Sequence, residues 1–287
     1  MISVSASIND EPANRTNIHI LAVDALAEKM LADIYSDISR VRSFLRDNIV
    51  INFLSVDEIA VTELNHFVFI LTSTESAEHN IRKLEADFNL KNRCHLLVVI
   101  TIDCHASLCD NTHIPDLLKA YRQIRIEQDL AGTSADSYYK DRVTSLLLSL
   151  ITSCFSDGYC CIDATELISF CAMYEQIDYV RFDCAGRSES FDGLAQRLSG
   201  MQDLGGVFVC VNNNSEPEPL ESYLMCGDQI EEHAAGVELV FLSVPFFYGV
   251  RGGGLGLDVF FAYRRLGPYA SANNLTQSVK RSMIFLR

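Results

Sequence analysis

Four side chains in the stretch "CHASLCDNTH" are of the types that hold a transition metal: Cys104, His105, Cys109 and His113. Thiolates and imidazoles are zinc ligands, and the last three fall at helical spacing. That spacing matches no standard finger or ribbon, and Asn111 and Pro115 weaken a helix there. Cysteines and histidines scattered in this way are usually packing or surface residues, so a zinc-binding module stands only as an alternative. A second stretch, "FVFILTSTESAEHNIRKLEADF" over residues 67 to 88, passes from an apolar run to a polar turn and then to a helix-like segment. In an α/β nucleotide-binding protein such a junction holds a glycine-rich loop around phosphates. Here it holds Thr72, Ser73, Thr74, Glu75 and Ser76. A third stretch, "GVRGGGLG", lies between two β-rich runs and lacks a following Lys-Ser/Thr, so it reads as a hairpin or bulge. Cys160 and Cys161 are adjacent, which excludes a C-x-x-C redox pair there, and no G-x-S-x-G elbow exists.

The elements that must position these residues follow from periodicity. "NIHILAVDA" reads as a strand. Leu26, Met30, Ile34, Ile38, Val41 and Leu45 then recur at helical spacing. "NIVINFLSVD" and "HFVFILTS" are further strands, "AEHNIRKLEADFNL" a helix, and "CHLLVVITID" a strand whose unbroken apolar run suits cover on both faces. This alternation argues for parallel βαβ units with sites at the strands' C-terminal ends. "PDLLKAYRQIRIEQDLAG" reads as helical up to Gly132. "SADSYYKDRVTSLLLSLITSCFSD" is apolar enough for a buried central helix, with Ser134 or Asp136 as cap and Gly158 as its stop. "GYCCIDATELISFCAMYE" is a loop and then a helix, for which Asp163 is the N-cap. Beyond it lie a strand in "IDYVRFDCAG", a helix in "SFDGLAQRLSGM", a strand in "GGVFVCVNNN", a helix started by Pro219, and the β-rich runs "VELVFLSVPFFYGV" and "LGLDVFFAYRRL". The expected division is a flexible N-terminus over 1–16, an α/β domain over 17–135, the central helix and its loop over 136–177, and a second α/β domain over 178–287.

The chain has 287 residues, 48% hydrophobic, enough for one large or two ordinary cores. Its formal net charge of -15 repels nucleic acid and anionic membrane, so neither is expected as a main partner. No signal peptide is legible, and the longest apolar runs fall short of the roughly 20 residues of a membrane span. A cytoplasmic protein with reduced thiols is expected. All 15 glycines lie at or after Gly132. At average usage the preceding region would hold about nine. Without glycine, close backbone approach to a ligand is costly, so the N-terminal half carries no standard P-loop or dinucleotide fingerprint.

The order of elements resembles the FtsZ/tubulin family, over roughly residues 17 to 265. "GGVFVCVNNNSEPEPLESYLMCGDQIEEHAAGVELVFLSVPFF" is similar to the strand, helix and strand of the FtsZ C-terminal domain. "GYCCIDATELISFC" resembles the loop after the central helix, written N-x-D-x-x-D or N-x-D-x-x-E. "FVFILTSTESAEHN" falls where the family has its glycine-threonine signature. The resemblance implies a Rossmann-like parallel-sheet domain, a central buried helix and a smaller C-terminal α/β domain. It implies that the loop acids reach the neighbouring subunit's nucleotide in a filament and polarise the attacking water. Here Cys161 stands at the family's Asn position, and Asp163 and Glu166 keep the tubulin-like Asp-x-x-Glu form. Two carboxylates can orient a water. On residue chemistry alone, Asp163 caps a helix and Glu166 completes its capping box.

The departures all concern phosphate. Side chains replace the signature glycines, and Glu75 and Glu78 would repel a triphosphate by on the order of a few kcal/mol. The first strand leads into "VDALAEKML", with Asp24 and Glu28, instead of a glycine-rich turn. The chain is also shorter than FtsZ between its first and third strands. The expectation is an FtsZ/tubulin-like protein without GTP or other cofactor, acting by contacts with itself or with FtsZ-like subunits in a cell-division or cytoskeletal filament. The alternative is a GTP-binding, GTP-hydrolysing polymer former that uses magnesium; only that reading makes it an enzyme.

Overall fold

A computed structural model of the chain describes residues 15–59, 66–90, 93–102, 122–126, 135–174, 176–184, 187–201, 203–213, 220–234, 236–245 and 255–264. The metal candidates Cys104, His105, Cys109 and His113 lie outside these ranges, as do residues 1–14 of the expected flexible N-terminus, Ser134 and Pro219.

Strand β1 (Thr16–Ala22) leads to helix α1 (Ala25–Val41), strand β2 (Ile49–Leu54) and a single turn α2 (Val56–Ile59). Strand β3 (Phe67–Ser73), helix α3 (Ala77–Phe88), strand β4 (Leu96–Ile102) and strand β5 (Arg122–Ile126) follow. The central helix α4 (Ala135–Phe155) gives way to a short strand β6 (Gly158–Cys160) and helix α5 (Ala164–Met173). The rest comprises β7 (Gln176–Cys184), α6 (Arg187–Ser199), β8 (Leu204–Asn213), α7 (Leu220–His233), β9 (Leu239–Pro245) and β10 (Leu255–Tyr263).

Ten strands form one sheet in the order β2-β1-β3-β4-β5-β7-β10-β8-β9-β6. β10 runs antiparallel to both its neighbours and β6 antiparallel to β9; the other pairs are parallel. The ladder therefore crosses the expected boundary between the halves without a break, through β5 and β7. β4 is buried along its whole length, as its apolar run requires of a strand covered on both faces. On α1 the helical spacing places Met30, Ile34, Ile38 and Val41 in the core. One face of the sheet carries α1, α4 and α5 over a core that runs from Ile18 to Ala262. The other face has two smaller cores, one around β3, β4 and α3, the other around α6, α7, β8 and β10.

Three expectations need correction. Residues 122–126 form a strand, not the helix expected there. Ile124 and Ile126 alternate into the core, and pairing on both sides with β4 and β7 overrides the local helical pattern. β9 and β10 are not hairpin partners, because β8 lies between them. The chain between them, residues 246–254, is outside the described ranges. Gly158 does not stop α4, which ends at Phe155. It opens β6, where a Cβ would lie 2.4 Å from the Val244 carbonyl oxygen, so glycine permits a close strand approach.

Candidate functional site

The turns after β1 and β3 meet at one carboxylate. Asp24 is the N-cap of α1, and its Oδ1 accepts the Ala27 N–H at 2.9 Å. Its Oδ2 accepts the Ser73 N–H at 2.7 Å, the Ser76 hydroxyl at 2.7 Å and the Thr72 hydroxyl at 3.0 Å. Asn80, one turn into α3, donates to Ser76 Oγ at 3.0 Å and to Thr72 Oγ1 at 3.3 Å. The Ser73 and Ser76 hydroxyls lie 2.7 Å apart. Ser76 precedes α3 but makes no side-chain cap bond to it; its hydroxyl is turned to Asp24 instead.

Burial by itself would raise the Asp24 carboxyl. The N–H groups of Ala27 and Ser73 and the hydroxyls of Ser76 and Thr72 outweigh it and hold the group below the ordinary carboxylate value. The cluster is thus an anion already seated between two turns and surrounded by donors. Of the residues expected at this site, Asp24, Thr72, Ser73 and Ser76 come together. Thr74 and Glu75 are exposed. Glu78 is engaged one turn along α3, with Arg82 at 2.7 Å. Asn80 was not singled out from sequence, although its i,i+4 spacing from Ser76 was available as a signal.

The second expected pair is a capping box. The Asp163 carboxylate accepts the Glu166 N–H at 2.7 Å, and the Glu166 carboxylate accepts the Asp163 N–H at 2.8 Å. The turn carrying it folds back on α4, with the Ile162 N–H donating to Ser153 O at 3.0 Å. On the first half of the sheet the two sites lie at opposite strand ends. Asp24 binds Ser73, the last residue of β3, whereas Phe155 at the end of α4 packs edge-to-face on Phe67, the first. Cys161 is half-buried, and burial first, then the neighbouring Cys160, pushes its thiol up to about 11. It is a packed thiol rather than a nucleophile.

A third constellation was missed. Asp258, fully buried on β10, accepts from Ser149 on α4 at 2.6 Å, from Arg181 on β7 at 2.8 Å, and from the Tyr179 hydroxyl and the Asn212 amide. Burial first and then Asp258 hold the Tyr179 hydroxyl protonated far above its ordinary range. Burial would lower Arg181, but Asp258 beside it outweighs that, and the guanidinium stays charged. A Cβ at Gly256 would lie 2.4 Å from Arg181 Nη2, so the glycine makes room for the guanidinium. Among the described residues, no group of three or more His, Cys, Asp or Glu could hold a metal ion. No described helix is long and apolar enough to cross a membrane.

No family model and no curated protein matches the sequence. Solved structures match its fold. CetZ from Methanosaeta thermophila strain DSM 6194 superposes with a TM-score of 0.52 at 10% identity, covering 86% of this chain and 86% of that one. An FtsZ point mutant from M. jannaschii superposes with a TM-score of 0.52 at 9% identity, covering 86% of this chain and 91% of that one. The fold is FtsZ/tubulin-like. Within an FtsZ/tubulin-like fold, the turns joined by Asp24 follow the C-terminal ends of parallel strands, where open α/β sheets bind ligands.

Proposed function

We propose that this chain works through protein contacts in an FtsZ/tubulin-like filament and does not seat GTP in the family's manner. One observation carries the reading: Asp24 already takes the donors that a phosphate would need at these two turns. Ala27 and Ser73 give it their N–H groups, and Ser76 and Thr72 their hydroxyls. A nucleotide phosphate brought to the same donors would meet a fixed negative charge, and no cation bonds to it among the described residues. The absence of glycine before Gly132 supports the same conclusion, since close backbone approach to a triphosphate is costly there.

The working surface is then the one that carries Asp163 and Glu166, which docks against a neighbouring FtsZ-like subunit or a second copy of this chain. The proposed setting is cytoplasmic and cytoskeletal, in cell division or a related process. Neither nucleic acid nor membrane is the partner, on the electrostatic argument of the -15 net charge. Equilibrium binding of labelled GTP with magnesium tests the first part: no binding in the micromolar range is expected, and micromolar binding would establish the GTP-dependent polymer former instead. Co-sedimentation with an FtsZ polymer and GTP tests the second part. The absence of both co-pelleting and any change in polymer mass, with FtsZ or with the chain alone, would remove the docking role.

A further inference from the structure

Helix α4 is fastened to the two halves of the sheet by different means. Its last turn belongs to the first half: the Arg46 N–H donates to Phe155 O at 3.1 Å, and Leu45 forms an isolated antiparallel bridge with Ser156. Its middle belongs to the second half through Ser149, whose hydroxyl reaches Asp258 on β10. Asp258 also gathers Tyr179 and Arg181 from β7 and Asn212 from β8, so one carboxylate ties four elements together. Arg142, near the start of α4, adds a bond to the Arg181 carbonyl at 2.9 Å. Between the halves, β5 and β7 pair in parallel. Arg125 faces Asp178 directly across that seam and forks onto it, Nε to Oδ1 at 3.1 Å and Nη2 to Oδ2 at 2.9 Å. Beneath the seam, Ile124 and Ile126 share a core with Ile177 and Tyr179.

We infer that Asp258 is a buckle between α4 and the second half of the sheet, and that it makes the two halves unfold as one cooperative unit instead of as separate domains. The donors are too well matched to be incidental. They come from α4, from β7 (two of them) and from β8, and a buried carboxylate left without them is costly, so none of the four elements can leave alone.

Hydrogen exchange of the full chain, followed by mass spectrometry over a urea series, tests this. In the parent protein, amides of β1 and β3 and amides of β8 and β10 are expected to lose protection at the same urea concentration. Ser149→Ala removes the helix's bond to Asp258 together with the bond its hydroxyl accepts from the Asn212 amide at 2.9 Å, both of them links from α4 to the second half. It is expected to speed exchange in β8 and β10 by about ten- to hundredfold relative to β1 and β3, the loss of a hydrogen bond to a charged group. Thr152→Ala is the control on the same helix, because its hydroxyl returns to Leu148 O at 2.8 Å; it is expected to leave the two halves in step. Separate transitions in the parent protein would overturn the inference. So would a Ser149→Ala variant whose halves stay in step.

Discussion

Two aspartates, one in each half of the molecule, each collect four hydrogen bonds and do so in different company. Asp24 is half-buried at a rim and is served by two backbone N–H groups and two hydroxyls, with no cation bonded to it among the described residues. Asp258 is fully buried and includes the Arg181 guanidinium among its donors. The contrast shows what a carboxylate needs at each depth. Near water, oriented dipoles suffice to keep it ionised. In the dry interior, a counter-charge has to be enclosed with it. The rim cluster therefore behaves as a filled anion seat, and the inner one as a structural joint.

Removing either carboxylate separates the two kinds of support. Asp258→Ala takes from the buried Arg181 guanidinium its enclosed counter-charge, leaving it the exposed Asp183, and is expected to cost about 3–5 kcal/mol, read as a fall in the urea midpoint at pH 7. Gly256→Ala attacks the same joint by volume. Arg181 is pinned by Asp258 and Asp183 and cannot swing aside, so a loss of about 1–3 kcal/mol is expected in the same measurement. Asp24→Asn is milder, about 1–2 kcal/mol: the amide oxygen can still cap α1, but an NH2 group then faces the Ser73 N–H that Oδ2 accepted. Its signature is the pH dependence. Because the folded-state value of Asp24 is depressed, its contribution is fully present above the unfolded carboxyl's value near 3.8 and is lost as pH falls through the lower folded value. The stability gap between parent and Asp24→Asn is therefore expected to close below about pH 4, the unfolded carboxylate range; a gap unchanged between pH 7 and pH 3 would refute a depressed Asp24. Asp163→Ala with Glu166→Ala loses one capping box and is expected to cost only about 1 kcal/mol. A much larger fall in co-pelleting than that stability loss explains would mark the pair as a docking contact.

How much of this was legible depends on whether the deciding contact was local. Asp163 and Glu166 are three residues apart, and their capping box was readable as it stands. The strand-turn-helix frame around Thr72–Ser76 was equally plain. That Asp24 would cross 48 residues to Thr72 was not, because nothing in either segment names its partner. Asp258 left a trace in "LGLDVFFAY", and Arg181 another in "YVRFD": each is a charge set in an apolar strand, and two such charges require one another. β5 was hidden because "AYRQIRIEQ" satisfies a helical pattern until the strands on either side claim it. The β9–β10 connection misled for a related reason. A glycine-rich link marks a turn in the chain but does not say that the flanking strands are adjacent.

The three residues of β6 have an outsized effect for their length. They lie antiparallel along β9, with Gly158 opposite Pro245 and Cys160 opposite Val244, at one margin of the sheet. An uncovered margin would offer its amides and carbonyls to any passing chain. The segment that shields this border runs directly into the turn bearing Asp163, so a neighbour gripping that turn would also pull on the cover of the border.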